Sequence, residues 1–135
     1  MTVGTAIRAS LSVPGRPEQV QAARFFTSQT LGGEHPCEPV AVLLVSEIVT
    51  NSVMHSDSRL PGGMITVTVT GTARTARVEV RDAGGPTLPS PKAAGDATAE
   101  DGRGLRLVDH LADRWAYRRD ATGLTTWFEV GAEHS

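Results

Sequence analysis

The stretch Val40-Ala41-Val42-Leu43-Leu44-Val45-Ser46-Glu47-Ile48-Val49-Thr50-Asn51-Ser52-Val53-Met54-His55 decides how this chain is read. Its polar residues Glu47, Asn51 and His55 recur at every fourth position. Four residues advance a helix by only about 40°, at roughly 100° per residue, so the three side chains line one side. Most of the rest is valine, leucine and isoleucine, and a helix apolar almost all round is normally buried. A buried carboxylate and carboxamide need partners, because unpaired burial of an amide costs about 2–7 kcal/mol. The stripe therefore calls for a polar neighbour, in the protein or in a ligand. Within the protein, Asn51 and His55 could be satisfied core residues and Glu47 could pair with a buried arginine. The stripe could also simply be exposed, and His55 near the helix C-terminus is favourable when protonated.

Working outward, residues 5–13 read as an opening strand. Pro17 to Leu31 reads as a helix, with proline suited to its first turn and Gly32-Gly33 stopping it. Pro39 opens the striped helix, which runs to about Ser56, and Ser58 to Gly63 is a loop. Ile65, Val67 and Val69 alternate with threonines, and Val78 and Val80 alternate with Arg77, Glu79 and Arg81. Period-two alternation makes both of these strands, joined as a hairpin across Gly71 to Thr75. Residues 83–103 hold four glycines and three prolines and read as a long structureless loop. Such loops inside compact domains are usually functional. Leu105 to Ala112 is a short helix, and Trp115–Arg119 and Leu124–Val130 are the last strands. The pattern predicts an α+β two-layer sandwich, a mixed, mostly antiparallel sheet with helices on one face.

The 135 residues suit one domain, 1–135, with a real core. A net charge of −2 gives no bulk attraction to nucleic acid or anionic membrane. There is no run of eighteen apolar residues, and the N-terminus lacks the pattern of a signal peptide. The single Cys37 excludes an internal disulfide and a cysteine-built metal site. A cytoplasmic protein is expected, without direct contact to nucleic acid or membrane.

Two further motifs carry chemistry. Asp82 ends its strand with the parity of Val78 and Val80, so on a period of two it points to their apolar face. Asp82 also reads as a turn-initiating residue whose side chain caps the loop backbone. Gly102-Arg103-Gly104 stands directly before the helix at Leu105. Glycines let backbone N–H groups approach an anion, and arginine suits phosphate. On its own this tripeptide reads equally as an ordinary loop.

The order of these parts is more specific than any one of them. A helix with Glu-x-x-x-Asn-x-x-x-His, a strand ending in Asp-x-Gly, a glycine-rich loop and Gly-x-Gly opening a helix together resemble the Bergerat-type ATP-binding fold. That fold is shared by DNA gyrase, chaperones, histidine kinases and MutL-type repair proteins. The phrases Val45-Ser46-Glu47-Ile48-Val49-Thr50-Asn51-Ser52, Val80-Arg81-Asp82-Ala83-Gly84-Gly85, Gly102-Arg103-Gly104-Leu105-Arg106-Leu107-Val108 and Thr125-Thr126-Trp127-Phe128-Glu129 look most like the anti-sigma-factor serine/threonine-protein kinases. The likeness spans roughly residues 15 to 130.

The resemblance implies a role for each residue. Asn51 would bind Mg²⁺ through its side-chain oxygen, and Glu47 would be the general base. Asp82 would accept a hydrogen bond from the adenine amine, with Gly84 allowing close approach of the base. Gly102, Arg103, Gly104 and Leu105 would hold ATP phosphates under a mobile lid at about 83–103, and His55 would support them. The sequence departs from the pattern twice. The box reads Asp82-Ala83-Gly84-Gly85-Pro86 rather than Asp-x-Gly-x-Gly, which makes Gly85 a weaker site residue and changes the start of the lid. Leu124 stands where relatives often place a threonine near adenine, and Thr126, of the same strand parity, would substitute for it.

There is no room for a histidine-bearing helix pair or a transducer domain. The resemblance thus implies a kinase that phosphorylates an anti-sigma-factor antagonist, sequesters a sigma factor, or does both. Dimerisation is common in that branch, so a homodimer is an expectation. A non-catalytic binding module, with ATP or without nucleotide, is the competing expectation. A simple ATPase is a third.

Overall fold

The computed structural model describes residues 6–91 and 103–132. The elements run β1 (Ile7–Pro14), α1 (Gln19–Leu31), α2 (Glu38–His55), a 3-10 turn at Asp57–Arg59, β2 (Met64–Gly71), β3 (Thr75–Asp82), β4 (Pro89–Ser90), β5 (Arg103–Gly104), α3 (Arg106–Leu111), β6 (Arg114–Asp120) and β7 (Gly123–Gly131). Five strands form one sheet in the order β1-β2-β3-β7-β6. Every pairing in it is antiparallel. The sandwich expected from the sequence is present, and its main sheet is purely antiparallel rather than mixed. The parallel pairing is confined to the two-residue strands β4 and β5. These also correct the reading of 83–103 as wholly structureless. The rest of that loop, 92–102, lies outside the described residues.

Alternation builds the core. In β2 and β3 every second residue is buried, which places Ile65, Val67, Val69, Val78 and Val80 beneath the helices. The opposite sheet face carries hydroxyls and charges: Ser10 bonds Thr68, Ser12 bonds Thr66, and Arg77 lies 4.1 Å over the Trp127 ring. Glycine at φ 92 ends α1 as expected at Gly32, a conformation open to glycine at no steric cost.

Helix α2 differs from its sequence reading. Ala41, Leu44, Val45, Ile48, Val49, Ser52 and Val53 are buried, a single face at helical spacing. Leu43 and Met54 are 43% and 62% exposed. A two-layer sandwich covers a helix on one side only, so a nearly all-apolar sequence still presents apolar residues to solvent. The stripe Glu47, Asn51 and His55 falls at the margin and is half-buried.

Candidate functional site

The site is built where the second half of α2 meets the end of β3. The register puts Asp82 opposite Leu124 and Val80 opposite Thr126, so Asp82 and Thr126 share the helix-facing side. Asp82 and Thr126 are only 3% and 2% exposed. Asp82 fulfils both of its sequence readings at once. Its Oδ1 accepts from the Gly84 N–H at 2.7 Å, capping the turn, while Oδ2 accepts from the Ser52 hydroxyl at 2.6 Å.

Three buried serines fix the frame around Asp82. Ser56 Oγ donates to the Ser52 carbonyl at 2.6 Å, and the Ser58 N–H donates to Ser56 Oγ at 3.1 Å. Ser58 Oγ accepts from the Ala83 N–H at 2.8 Å and donates to the Met64 carbonyl at 2.7 Å. The end of α2 and the Asp82-Ala83-Gly84 turn are therefore one hydrogen-bonded unit. Sequence reasoning assigned no role to Ser52 or Ser58. The available signal for Ser52 was its place one residue after Asn51, which rotates it onto the buried face.

The glycines of the box act differently. Gly84 has φ +79, a left-handed conformation that a side chain would strain, and its carbonyl accepts from the Asp57 N–H at 2.6 Å. Gly85 is required by space: a Cβ there would lie 2.6 Å from the His55 carbonyl oxygen. Thus Gly85 packs against the last turn of α2, and His55 marks that end. Gly123, which the sequence reading gave no place in the site, approaches more closely still, since a Cβ there would meet the Asp82 carbonyl oxygen at 2.2 Å.

One helical turn before Asn51, the polar neighbour of Glu47 turns out to be backbone rather than arginine. Its Oε1 accepts from the Val108 N–H at 2.9 Å and its Oε2 from the Leu107 N–H at 3.1 Å. These are first-turn donors of α3, whose own N-cap, Leu105, has no side-chain acceptor. Asn51 Nδ2 donates to the Glu47 carbonyl at 2.9 Å, which makes the amide oxygen its acceptor end. Leu105 is 1% exposed and its N–H is taken by the Ser90 carbonyl at 2.7 Å, so it joins β4 to the start of α3. Arg103 and Gly104 form β5, and Gly102 lies outside the described residues. Among the described residues no group of three or more His, Cys, Asp or Glu could hold a metal ion. A surface groove of about 770 Å³ is lined by residues such as Arg16, Met54 and Leu60, and includes none of Glu47, Asn51 or Asp82.

Residues 13–130 match the family described as the histidine kinase-like ATPase domain. The chain belongs to that family. A crystal structure of the RsbU and RsbW domains of Rv1364c from Mycobacterium tuberculosis shares the fold, with a TM-score of 0.59 and 18% sequence identity. The match covers 91% of this chain and 32% of that one, so the chain spans about a third of the length of that solved chain. No curated protein matches it. The Bergerat-type fold expected from the order of motifs is therefore the fold of this histidine kinase-like ATPase domain. In the described part of the domain no helix is long and apolar enough to cross a membrane.

Proposed function

We propose that this histidine kinase-like ATPase domain binds Mg²⁺-ATP and phosphorylates serine or threonine of an anti-sigma-factor antagonist, and that it holds a sigma factor by its surface. One observation carries the reading: the buried Asp82 carboxylate is anchored by Ser52, the residue next to Asn51. The group suited to an adenine amine, at the end of β3, is thus tied to α2 at the position next to the group suited to a cation. The donor set fits. Mg²⁺ takes oxygen ligands, often few from protein with phosphates and water completing the octahedron. The Asn51 amide oxygen is such a ligand, and the bound nucleotide supplies the transferable phosphoryl group. Asp82 accepts from the adenine amine, Thr126 lies on the same face, and Glu47 orients the acceptor hydroxyl and takes its proton. Phosphoryl transfer is mainly positioning and charge stabilisation, so a small set of groups suffices.

A second reading, the non-catalytic binding module, is favoured by one observation: both Glu47 oxygens are held by α3 backbone. Incubating the purified chain with Mg²⁺-ATP and candidate antagonist proteins, followed by intact mass measurement, separates the two. Transfer to the partner that Glu47→Ala abolishes supports the kinase. Transfer undiminished in that variant removes Glu47 as base. Tight nucleotide binding without transfer favours the module, and no affinity for Mg²⁺-ATP overturns both nucleotide readings.

A further inference from the structure

The groove of about 770 Å³ lies between the loop from β1 to α1, the last turn of α2 and the chain from the 3-10 turn into β2. Apolar side chains on it stand open to solvent: Met54, Leu60 and Met64 are 62%, 51% and 47% exposed. An exposed apolar patch rimmed by polar residues marks an interaction site. Two of the chain's three methionines are here, and methionine adapts its shape to the surface of a protein partner. The floor is stiff. The Gly15 N–H donates to the Gly63 carbonyl at 3.2 Å, and a Cβ on either glycine would lie 2.1 Å from the Ser58 carbonyl oxygen. A groove formed in advance loses little to ordering on binding. Its charges are of one sign. The lining holds two exposed guanidiniums, Arg16 and Arg59, and no aspartate or glutamate. Glu18 and Asp57, near them in sequence, are outside the lining. Among the described residues neither guanidinium is in an ion pair, whereas Arg77, Arg81 and Arg114 on the open sheet face are each paired with a carboxylate.

From these observations we infer that the groove is a docking site for a partner protein, and that it takes an amphipathic helix whose apolar side chains are flanked by carboxylates. Pro14, Pro17 and Pro61 line it and have no N–H to donate, so it offers an extended peptide few backbone partners. A helix satisfies its own backbone and asks only for apolar cover. Leu60 and the two methionines receive its apolar face, the helix-in-groove mode of recognition. Arg16 and Arg59 meet the carboxylates beside that face, and a basic helix would set like charges against them. Ser58 lines the groove, and its hydroxyl accepts from the Ala83 N–H at 2.8 Å, so a docked partner rests against the unit that carries Asp82. The inference concerns docking alone and stands apart from the nucleotide chemistry proposed above.

The test uses the full chain without nucleotide and a fluorescein-labelled synthetic helix with leucines at i, i+3, i+4 and i+7 and glutamates beside them. Saturable binding is expected in fluorescence anisotropy, weakening as salt rises. The same helix with lysine for each glutamate is expected to bind at least roughly tenfold more weakly. Arg16→Glu combined with Arg59→Glu is expected to reverse that preference, and Arg118→Glu on β6 to leave it unchanged. On the unaltered chain, NMR amide shifts are expected to move at Gly15, Gly62 and Gly63. No saturable binding of the glutamate helix overturns the inference, and so does equal binding of the lysine helix. Shifts centred on Thr68 and Trp127 of the open sheet face also overturn it. So does sedimentation with phosphatidylglycerol vesicles in preference to the peptide, which would make the groove a lipid site. If the double variant fails to fold, the peptide comparison and the shift map on the unaltered chain decide.

Discussion

Glu47 is a structural cap as well as the group proposed as base, and replacing it is expected to loosen α3 whether or not nucleotide is present. Its carboxylate accepts the N–H groups of Leu107 and Val108 at 3.1 and 2.9 Å. Losing a side-chain cap costs about 0.5–2 kcal/mol, and removing a negative charge from a helix N-terminus costs about 0.3–1 kcal/mol more. Glu47→Ala should therefore destabilise α3 by about 1–3 kcal/mol. At tenfold per 1.4 kcal/mol, the exchange protection of these two amides should fall roughly 5- to 150-fold. Glu47→Gln keeps one oxygen acceptor and loses the charge, so its effect should be intermediate. Amide hydrogen exchange followed by NMR on the nucleotide-free chain reads this directly. Unchanged protection at Leu107 and Val108 in Glu47→Ala would refute the capping argument. The comparison also matters for catalysis. Lost transfer in Glu47→Ala identifies a base only to the extent that it exceeds the loss explained by α3.

Two other consequences are open to measurement. Gly123→Ala would set a Cβ 2.2 Å from the Asp82 carbonyl oxygen, so β3 and β7 must part there. Overpacking of this kind costs about 1–3 kcal/mol; urea unfolding should show it, nucleotide titration should weaken with it, and Gly33→Ala, with open space around it, should change neither. Asp120 is held well below the usual carboxylate range by hydrogen bonds from the Arg81 guanidinium and from the Thr122 N–H and hydroxyl. A depressed pKa in the folded state gives stabilisation that is present above the ordinary carboxylate pKa and is lost as pH falls toward the folded value. In Arg81→Gln the Asp120 carboxylate should titrate higher, measured by side-chain NMR; an unmoved titration would contradict the assigned cause.

Much of this protein was legible from local pattern. The four-residue recurrence in α2 and the period-two alternation of β2, β3 and β7 are set by backbone geometry, and each is visible within ten to twenty residues. Parity alone put Asp82 and Thr126 on the core face, and the register of β3 with β7 agrees. Glycine stopped α1 where a left-handed residue was needed. The order of motifs was enough to expect a Bergerat-type sandwich.

Tertiary structure decided what those residues meet. No spacing rule joins Glu47 to the α3 backbone sixty residues on, because that contact exists only once both helices have packed. Ser52 reads as an ordinary helical serine until β3 delivers the Asp82 carboxylate to it. Gly85 looked like a misplaced second glycine of an adenine box, and the structure gives it a different reason, the His55 carbonyl that leaves no room for a Cβ. A two-residue pairing such as β4 with β5 has no period to detect. Which strands form the edges of the sheet is equally a matter of assembly, since the strand order follows from packing and not from position along the chain. Local sequence determined the elements and the face each residue takes, because those depend on neighbours a few bonds away. The partners of Glu47, Ser52 and Gly85 depend on long-range closure of the chain, and only the folded molecule supplies them.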